Sequence, residues 1–327
     1  MPGGAGPKGE EPKTGGFFSS ARALPLLPGR NLDREGLGGY YIDLSVKADQ
    51  EGWPPWWLGM GVGSHWVAKA QWGLGSYERY LSTGEDRWLE WSLAAGRYVA
   101  ESQERTGRLE GGLVHRRPFP HTFHVHPPWL CALAQGQAAS LLARLYHEVG
   151  DASLADAARR ALLPLDVPVA EGGVRAELGG GPFYEEYPTT PSSYVLNGGI
   201  FALWGCHDVA TALGDALATR LWRDGLDVLA AEIDRWDTGY WSRYDLYPHP
   251  VTNIASSSYH VLHLSQLRMT IRLEARPELE RAHEHFAAYL ASRSGRARAF
   301  ALKVPFRLLV PRNRLLAHRL PWTRPPS

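Results

Sequence analysis

The sequence predicts a mainly α fold, an α/α toroid (an incomplete (α/α) barrel) of helical hairpins with a few short β-strands on its loops. Two observations predict it. From Ser64 onward, apolar residues recur at helical spacing in about eight segments. In addition, "YLSTGEDRWLEWSLAAGRYV" and "LYHEVGDASLADAARRAL" share one rhythm of helix, Gly-Asp or Gly-Glu-Asp turn, and helix. Such an internal echo is expected of stacked hairpins.

Taken in order, residues 1–16 are rich in Gly, Pro and Lys and lack the apolar region of a secretory signal. Residues 1–39 therefore read as a flexible leader. Residues 36–46 suit a short β-hairpin. Residues 64–81 and 87–104 read as helices, the second with a broad stripe of Trp88, Trp91, Leu93, Ala95, Tyr98 and Val99. A helix over 127–149 is expected to start at a proline and stop at Gly150. The next, 153–163, is capped by Asp151 or Ser153 and ended by Pro164. Residues 193–213, with Ser192 or Ser193 as cap, then 216–232, 257–273 and 277–292 complete the helices. Residues 174–177 and 241–246 suit small edge strands. Long loops at 107–128 and 172–191 are the places where a helical scaffold carries its chemistry. The domain reading is one body from 40 to 292, followed by a basic tail from 293 to 327.

Composition excludes several classes. With 327 residues and a formal net charge of +1, the chain can bury a large core and has no global charge suited to nucleic acid. Cys131 and Cys206 alone make neither a disulfide framework nor a zinc site, and they read as buried thiols. The thirteen Trp and fourteen Tyr are compatible with stacking on sugar rings. The longest apolar stretch, 196–206, is too short and too glycine-interrupted to span a bilayer. A cytoplasmic location follows as the expectation. The tail after Glu284 has no acidic residue and carries Arg293, Arg296, Arg298, Lys303, Arg307, Arg312, Arg314, Arg319 and Arg324 among Leu, Phe and Val. It reads either as a solvated extension or as a segment touching an anionic membrane or polymer.

Three motifs are decoys. "GMGVGS" at 59–64 follows "WPPWWL" rather than a strand, so no dinucleotide site, and no redox cofactor, is expected. "HTFHVH" at 121–126 offers two histidines at strand spacing but no third ligand, so no metal is expected. Asp234, Asp237 and Asp245 raise paired-acid glycoside hydrolysis, but their spacing fits a turn, with Gly239 following.

The stretch "YEEYPTTPSSYVLNG" sets two carboxylates and two phenols on one loop stiffened by Pro188 and Pro191. By residue type alone it could equally be a structural loop. It resembles, almost residue for residue, the signature of the glucuronyl C5-epimerase family acting on heparan-type polymers. "PPWLCALAQGQAASLLARLY", "WDTGYWSRYDL", "NIASSSYHVLHLSQL" and "AQWGLGSYERYL" resemble further family motifs in the same order, over roughly residues 40–290. The resemblance implies an isomerase that inverts C5 of D-glucuronate, to L-iduronate, in an acidic polysaccharide of heparosan type. It implies four catalytic candidates: Glu186, Tyr187, Tyr244 and Tyr259. Its motifs also supply substrate-binding candidates Trp129, Gln135, Gln137, Asn197 and Asn253. It further implies a homodimer. The sequence departs from the family pattern at Ser258, where an aspartate is usual, and at Tyr247, where an arginine is usual, which leaves the exact uronate contacts and the polymer open.

The chemistry explains the residue types. Inverting C5 removes a proton alpha to a carboxylate and returns one to the opposite face, so a base and an acid must flank the ring. A tyrosine ordinarily titrates near pH 10, and lowering that by about three units takes roughly 4 kcal/mol from cations or donated hydrogen bonds. Arg116, Arg117, Arg243, His260 and His263 are the candidate suppliers, and they could also pair with the uronate carboxylate. Two alternatives stand beside the epimerase: a polyuronate lyase or glycoside hydrolase on the same scaffold, and a non-catalytic polysaccharide-binding protein.

Overall fold

The computed structural model describes residues 37–48, 66–116 and 122–310. The leader up to residue 36, the 59–64 glycine loop, Arg117, His121 and the tail beyond 310 lie outside the described residues. The chain is mainly helical. In order, it forms α1 (Ser45–Ala48), α2 (Trp66–Thr83), α3 (Asp86–Glu101), α4 (Ala132–Val149) and α5 (Ala152–Leu162). Strands β1 (Arg175–Leu178) and β2 (Gly181–Tyr184) follow, then α6 (Leu196–Leu213), α7 (Ala216–Glu232), α8 (Ser257–Leu273), α9 (Pro277–Ala291) and α10 (Arg293–Leu309).

Consecutive helices pack as hairpins: α2 with α3, α4 with α5, α6 with α7, and α8 with α9. The first member of each hairpin also packs on the first member of the next, so α2, α4, α6 and α8 stand side by side in an inner row. The residues dictate this division. Helix α4 is buried at every position from Ala132 to Leu145, and α6 at every position from Leu196 to Cys206. Helices apolar all round belong inside, whereas α5 and α7 carry a single apolar face and lie outside. Helices α4 and α6 meet backbone on backbone. A Cβ at Gly136 would stand 2.5 Å from the Phe201 carbonyl oxygen, and one at Gly205 would stand 2.4 Å from that of Gly136.

The caps follow the expected chemistry. Asp151, rather than Ser153, accepts from the Ser153 amide at 2.9 Å to start α5, and Asp215 accepts from Ala218 at 2.8 Å to start α7. Gly150 ends α4 at φ 71°, where a side chain would be strained. A fully buried ion pair ties the inner row together. Arg144 on α4 holds both carboxylate oxygens of Asp208 on α6, at 2.5 and 3.1 Å, and donates to the Gly39 carbonyl. The Tyr41 phenol donates to Asp208 at 2.6 Å.

Several elements differ from expectation. The described part of the 36–46 hairpin is a chain of bends leading into α1. Its residues from Leu37 to Ile42 are all buried instead of alternating, so both sides of the backbone face protein. The edge strand at 174–177 exists one residue later as β1, paired antiparallel with β2. Residues 241–246 make only isolated bridges, Asp237 with Ser242 and Arg243 with Ile254. Helix α4 begins at Ala132, not Pro127, because Trp129 is drawn into backbone pairing with His115. Helix α6 begins at Leu196 with no side-chain cap, since Ser193 bonds elsewhere. Helix α10 was not expected from the sequence. Pro305 lies inside it and its apolar residues fall on more than one side, which hides the periodicity.

Candidate active site

The Glu186 loop is set by its neighbour. The Glu185 backbone continues from β2, donating to the Val174 carbonyl at 2.8 Å and accepting from Ala132, the first residue of α4, at 2.9 Å. Its side chain, fully buried, turns back to receive the Ser193 hydroxyl and the Tyr194 amide, the latter at 3.1 and 3.2 Å. This clamp closes the loop. It also holds Tyr194 at φ 48°, a left-handed conformation that non-glycine residues seldom adopt. The Tyr194 carbonyl accepts from Trp236 at 3.0 Å, and its phenol donates to the Glu177 carbonyl at 2.5 Å.

Burial pushes the Glu185 carboxyl up to about 8, against the lowering effect of its Ser193 and Tyr194 donors. The folded chain therefore holds this proton more tightly than the unfolded one. The stability it brings is complete below the ordinary carboxylate value and is lost as the pH rises through about 8. Glu185→Gln should remove this dependence. Between pH 5 and 9 wild type should lose up to roughly 4 kcal/mol that the variant keeps, read from denaturation midpoints. Parallel curves for the two proteins would show that Glu185 is not the titrating group.

With Glu185 as the clamp, Glu186 faces the other way, over the first turn of α6. Its Oε2 accepts from Asn197 Nδ2 at 3.3 Å. A Cβ at Gly198 would stand 2.5 Å from the Glu186 Cβ and 2.6 Å from Oε2, so the glycine is what lets the carboxylate lie on the helix start. A helix N-terminus favours an anion there. Tyr187 is 5% exposed and hydrogen-bonds the Glu186 side chain. Its pKa is held well above the ordinary phenol value by burial, then by Glu186, Cys131 and Tyr259, so the phenol stays protonated. Its ring lies 5.1 Å from Phe123 and 6.1 Å, stacked, from Trp129, which in turn stacks on His115 at 4.1 Å.

The other two tyrosines come from the far end of the fold. Tyr244 is held by backbone bonds to Asn253, at 2.8 Å, and to Leu196 at the start of α6, at 3.2 Å. Its ring meets that of Tyr259, in the first turn of α8, edge to face at 4.8 Å. Tyr259 is half-buried and close enough to Tyr187 to affect its titration. Glu186, Tyr187, Tyr244, Tyr259, Trp129 and Asn197 thus gather around the start of α6.

The remaining candidates are placed differently. Gln135 spends its side chain on the backbone of Gly111, Leu113 and Ala161 and so holds the loop leading to Arg116. Gln137 is buried beside the Tyr40 phenol in the core. Arg116 is exposed and paired with Glu104. His260 and His263 are neutral. Burial lowers His260 to about 4 and His263 well below its ordinary value. The Ser242 amide donates to His260 Nδ1 at 3.2 Å, which leaves Nε2 to donate to the Phe286 carbonyl at 2.9 Å. As cation suppliers the two histidines are therefore replaced by a packing role, with the His260 ring stacked 3.8 Å from Trp241. Arg243 is half-buried, and its Nε finds no hydrogen-bond partner among the described residues. Asn253 donates to the buried Asp245 and accepts from Lys303 of α10 at 2.8 Å.

Phe123 and His115 were not anticipated as walls of this cluster, although both stand on the loop marked by its histidines and arginines. Lys303 was visible only as one of many tail cations. Among the described residues no group of three or more His, Cys, Asp or Glu stands together as a metal site.

Residues 113–288 match the family described as D-glucuronyl C5-epimerase C-terminus. The chain is 31% identical over 178 residues to the D-glucuronyl C5-epimerase of Caenorhabditis elegans, a match covering 50% of this chain and 29% of that protein. It is 29% identical over 197 residues to an uncharacterized protein of Methanocaldococcus jannaschii, covering 59% of this chain and 61% of that one. The chain thus spans less than two thirds of either relative. With a matched region that contains the whole cluster of Glu186, Tyr187, Tyr244 and Tyr259, the chain belongs to the D-glucuronyl C5-epimerase C-terminus family.

Proposed function

We propose that this protein is an isomerase that inverts C5 of D-glucuronate residues, to L-iduronate, within an acidic polysaccharide of heparosan type. One observation carries the reading beyond family membership: a protonated, buried tyrosine hydrogen-bonded to a carboxylate stands within electrostatic reach of a second, half-buried tyrosine. Tyr187 is the acid in this scheme. Tyr259, acting as its phenolate in the direction that starts from glucuronate, takes the C5 proton and becomes the neutral phenol, and the electron pair left on C5 spreads into the adjacent carboxylate. Tyr187 then delivers its proton to the opposite face of C5, and the reverse reaction exchanges the two roles. Glu186 orients the Tyr187 phenol and can relay its proton afterwards. Tyr244 packs against Tyr259 and fixes its ring, while Phe123 and Trp129 pack on the Tyr187 ring and hold it in place. Arg243, next to Tyr244 in the chain and half-buried with its Nε unpartnered among the described residues, is the cation proposed for the uronate carboxylate. The inner row of α2, α4, α6 and α8 supports reading the scaffold, from residue 40 to 292, as an arc of an α/α toroid.

The test is incubation with heparosan in deuterated water, followed by NMR of the C5 position. Deuterium at C5 in an intact chain is the expected result. Unsaturated uronate at new chain ends would make the protein a lyase instead, and absence of exchange on every glucuronate polymer tried would remove the proposal.

A further inference from the structure

Helix α10 follows the matched family region and carries nearly all of the large apolar side chains exposed on the described surface. Phe300 and Leu308 are each 75% exposed, Val304 is 46% exposed, and Leu302 and Leu309 lie to one side. Phe300, Val304 and Leu308 are spaced by four residues and form one outward stripe. The opposite face is fixed to the body. Ala299 and Phe306 are buried, with the Phe306 ring 5.1 Å from His249, and Lys303 reaches the Asn253 side chain and the Ile254 carbonyl. The helix is therefore a docked element with an apolar stripe directed away from the protein.

Arginines flank that stripe. Arg293, Arg296 and Arg298 are exposed, and no described carboxylate lies within ion-pair distance of them. Arg296 donates to the Leu290 and Ala291 carbonyls, and Arg298 lies 3.9 Å over the Tyr240 ring. Neither contact neutralises a charge. The sequence continues in the same vein to its end, with Arg312, Arg314, Arg319 and Arg324 among Leu315, Leu316, Leu320 and Trp322, and no acid.

We propose that the outward face of α10 seats this protein on a bilayer that contains anionic lipid. The pattern selects that partner. A soluble acidic polymer would satisfy the arginines but give Phe300 and Leu308 nothing apolar to enter. A second copy of the chain would bring two sets of cations together. A lipid surface accepts both, with apolar side chains entering the acyl boundary and guanidinium groups at the phosphates. Seated this way, the protein would act on a polymer while that polymer is close to the membrane.

The full chain should co-sediment with phosphatidylcholine vesicles containing about one third phosphatidylglycerol at least ~10-fold more tightly than with phosphatidylcholine alone, and high salt should weaken the binding. Phe300→Ser combined with Leu308→Ser should lower that affinity by about 10-fold or more. Both side chains are exposed on the face of α10 turned away from the body, so thermal unfolding and C5 exchange should stay as in wild type. Because exchange is read in the same preparations, a failure here leaves the proposed reaction untouched, and the converse also holds. Equal binding to both vesicle types, or undiminished binding by the double variant, would overturn the proposal. So would self-association of wild type that the double variant lacks, which would assign the face to a second copy.

Discussion

Tyr187→Phe should lower C5 deuterium exchange by about 10²–10⁴-fold, the range usual for loss of a positioned acid or base. The substitution removes one O–H and keeps the ring, so the packing on Phe123 and Trp129, at 5.1 and 6.1 Å, survives. Asn197 still donates to Glu186, so the loop is not released. The deficit should accordingly fall on kcat, with KM little changed, because a group needed only as the proton moves contributes little to binding. Tyr259→Phe should give a loss of similar size from the opposite face of the sugar. Tyr184→Phe serves as the control. That phenol is equally buried but donates to the Leu221 carbonyl at 2.8 Å behind the loop, so its loss should affect stability and leave exchange per folded molecule unchanged. If Tyr187→Phe retained exchange within about tenfold of wild type, its phenol would not be the proton donor.

How much of this was legible beforehand depended on where each property resides. Helix existence resides in local spacing, and the eight segments read from periodicity all have a helical counterpart, with α7 and α8 at the expected limits. Boundaries set by tertiary pairing did not show. Pro127 looks like a helix start until Trp129 is found paired with His115. The motif resemblance picked out Glu186, Tyr187, Tyr244 and Tyr259. It gave no physical reason for Glu186 over Glu185, since the opposite directions of two adjacent carboxylates follow from Ser193 and Asn197, eight and eleven residues further on. Nor could it reveal the charge state of His260. Residue type suggests a cation, but burial against Trp241 and Phe286 enforces a neutral ring. The Phe123 wall is a contact with Tyr187 across more than sixty residues of chain, which no local pattern can show.

The largest effect on stability should come from a residue far from the tyrosines. Asp208→Ala should destabilise the fold by roughly 3–5 kcal/mol, the usual cost of leaving one partner of a buried pair alone. Arg144 and Asp208 both have 0% side-chain exposure, so water cannot take the place of the missing carboxylate. The Ser140 and Gly39 carbonyls still accept from the guanidinium, but they carry no compensating charge. Tyr41 would lose its 2.6 Å carboxylate acceptor at the same time, leaving its phenol with His207 Nδ1 at 3.0 Å. Because the pair joins α4 to α6 and to the 37–44 segment, the loss should appear as one cooperative shift of the whole unfolding transition, read from denaturant midpoints. Replacing both partners by apolar residues, Arg144→Met with Asp208→Leu, should recover most of the loss, since the charge to be compensated is gone. A single-variant cost below about 1 kcal/mol would mean that solvent reaches the site. The double variant then distinguishes two roles for the pair. If it is as stable as wild type and exchanges C5 protons normally, the ion pair only fills the α4–α6 crossing. If it is stable but exchanges slowly, the pair sets the relative height of α4 and α6, and through Ala132 and Asn197 the placement of Glu186.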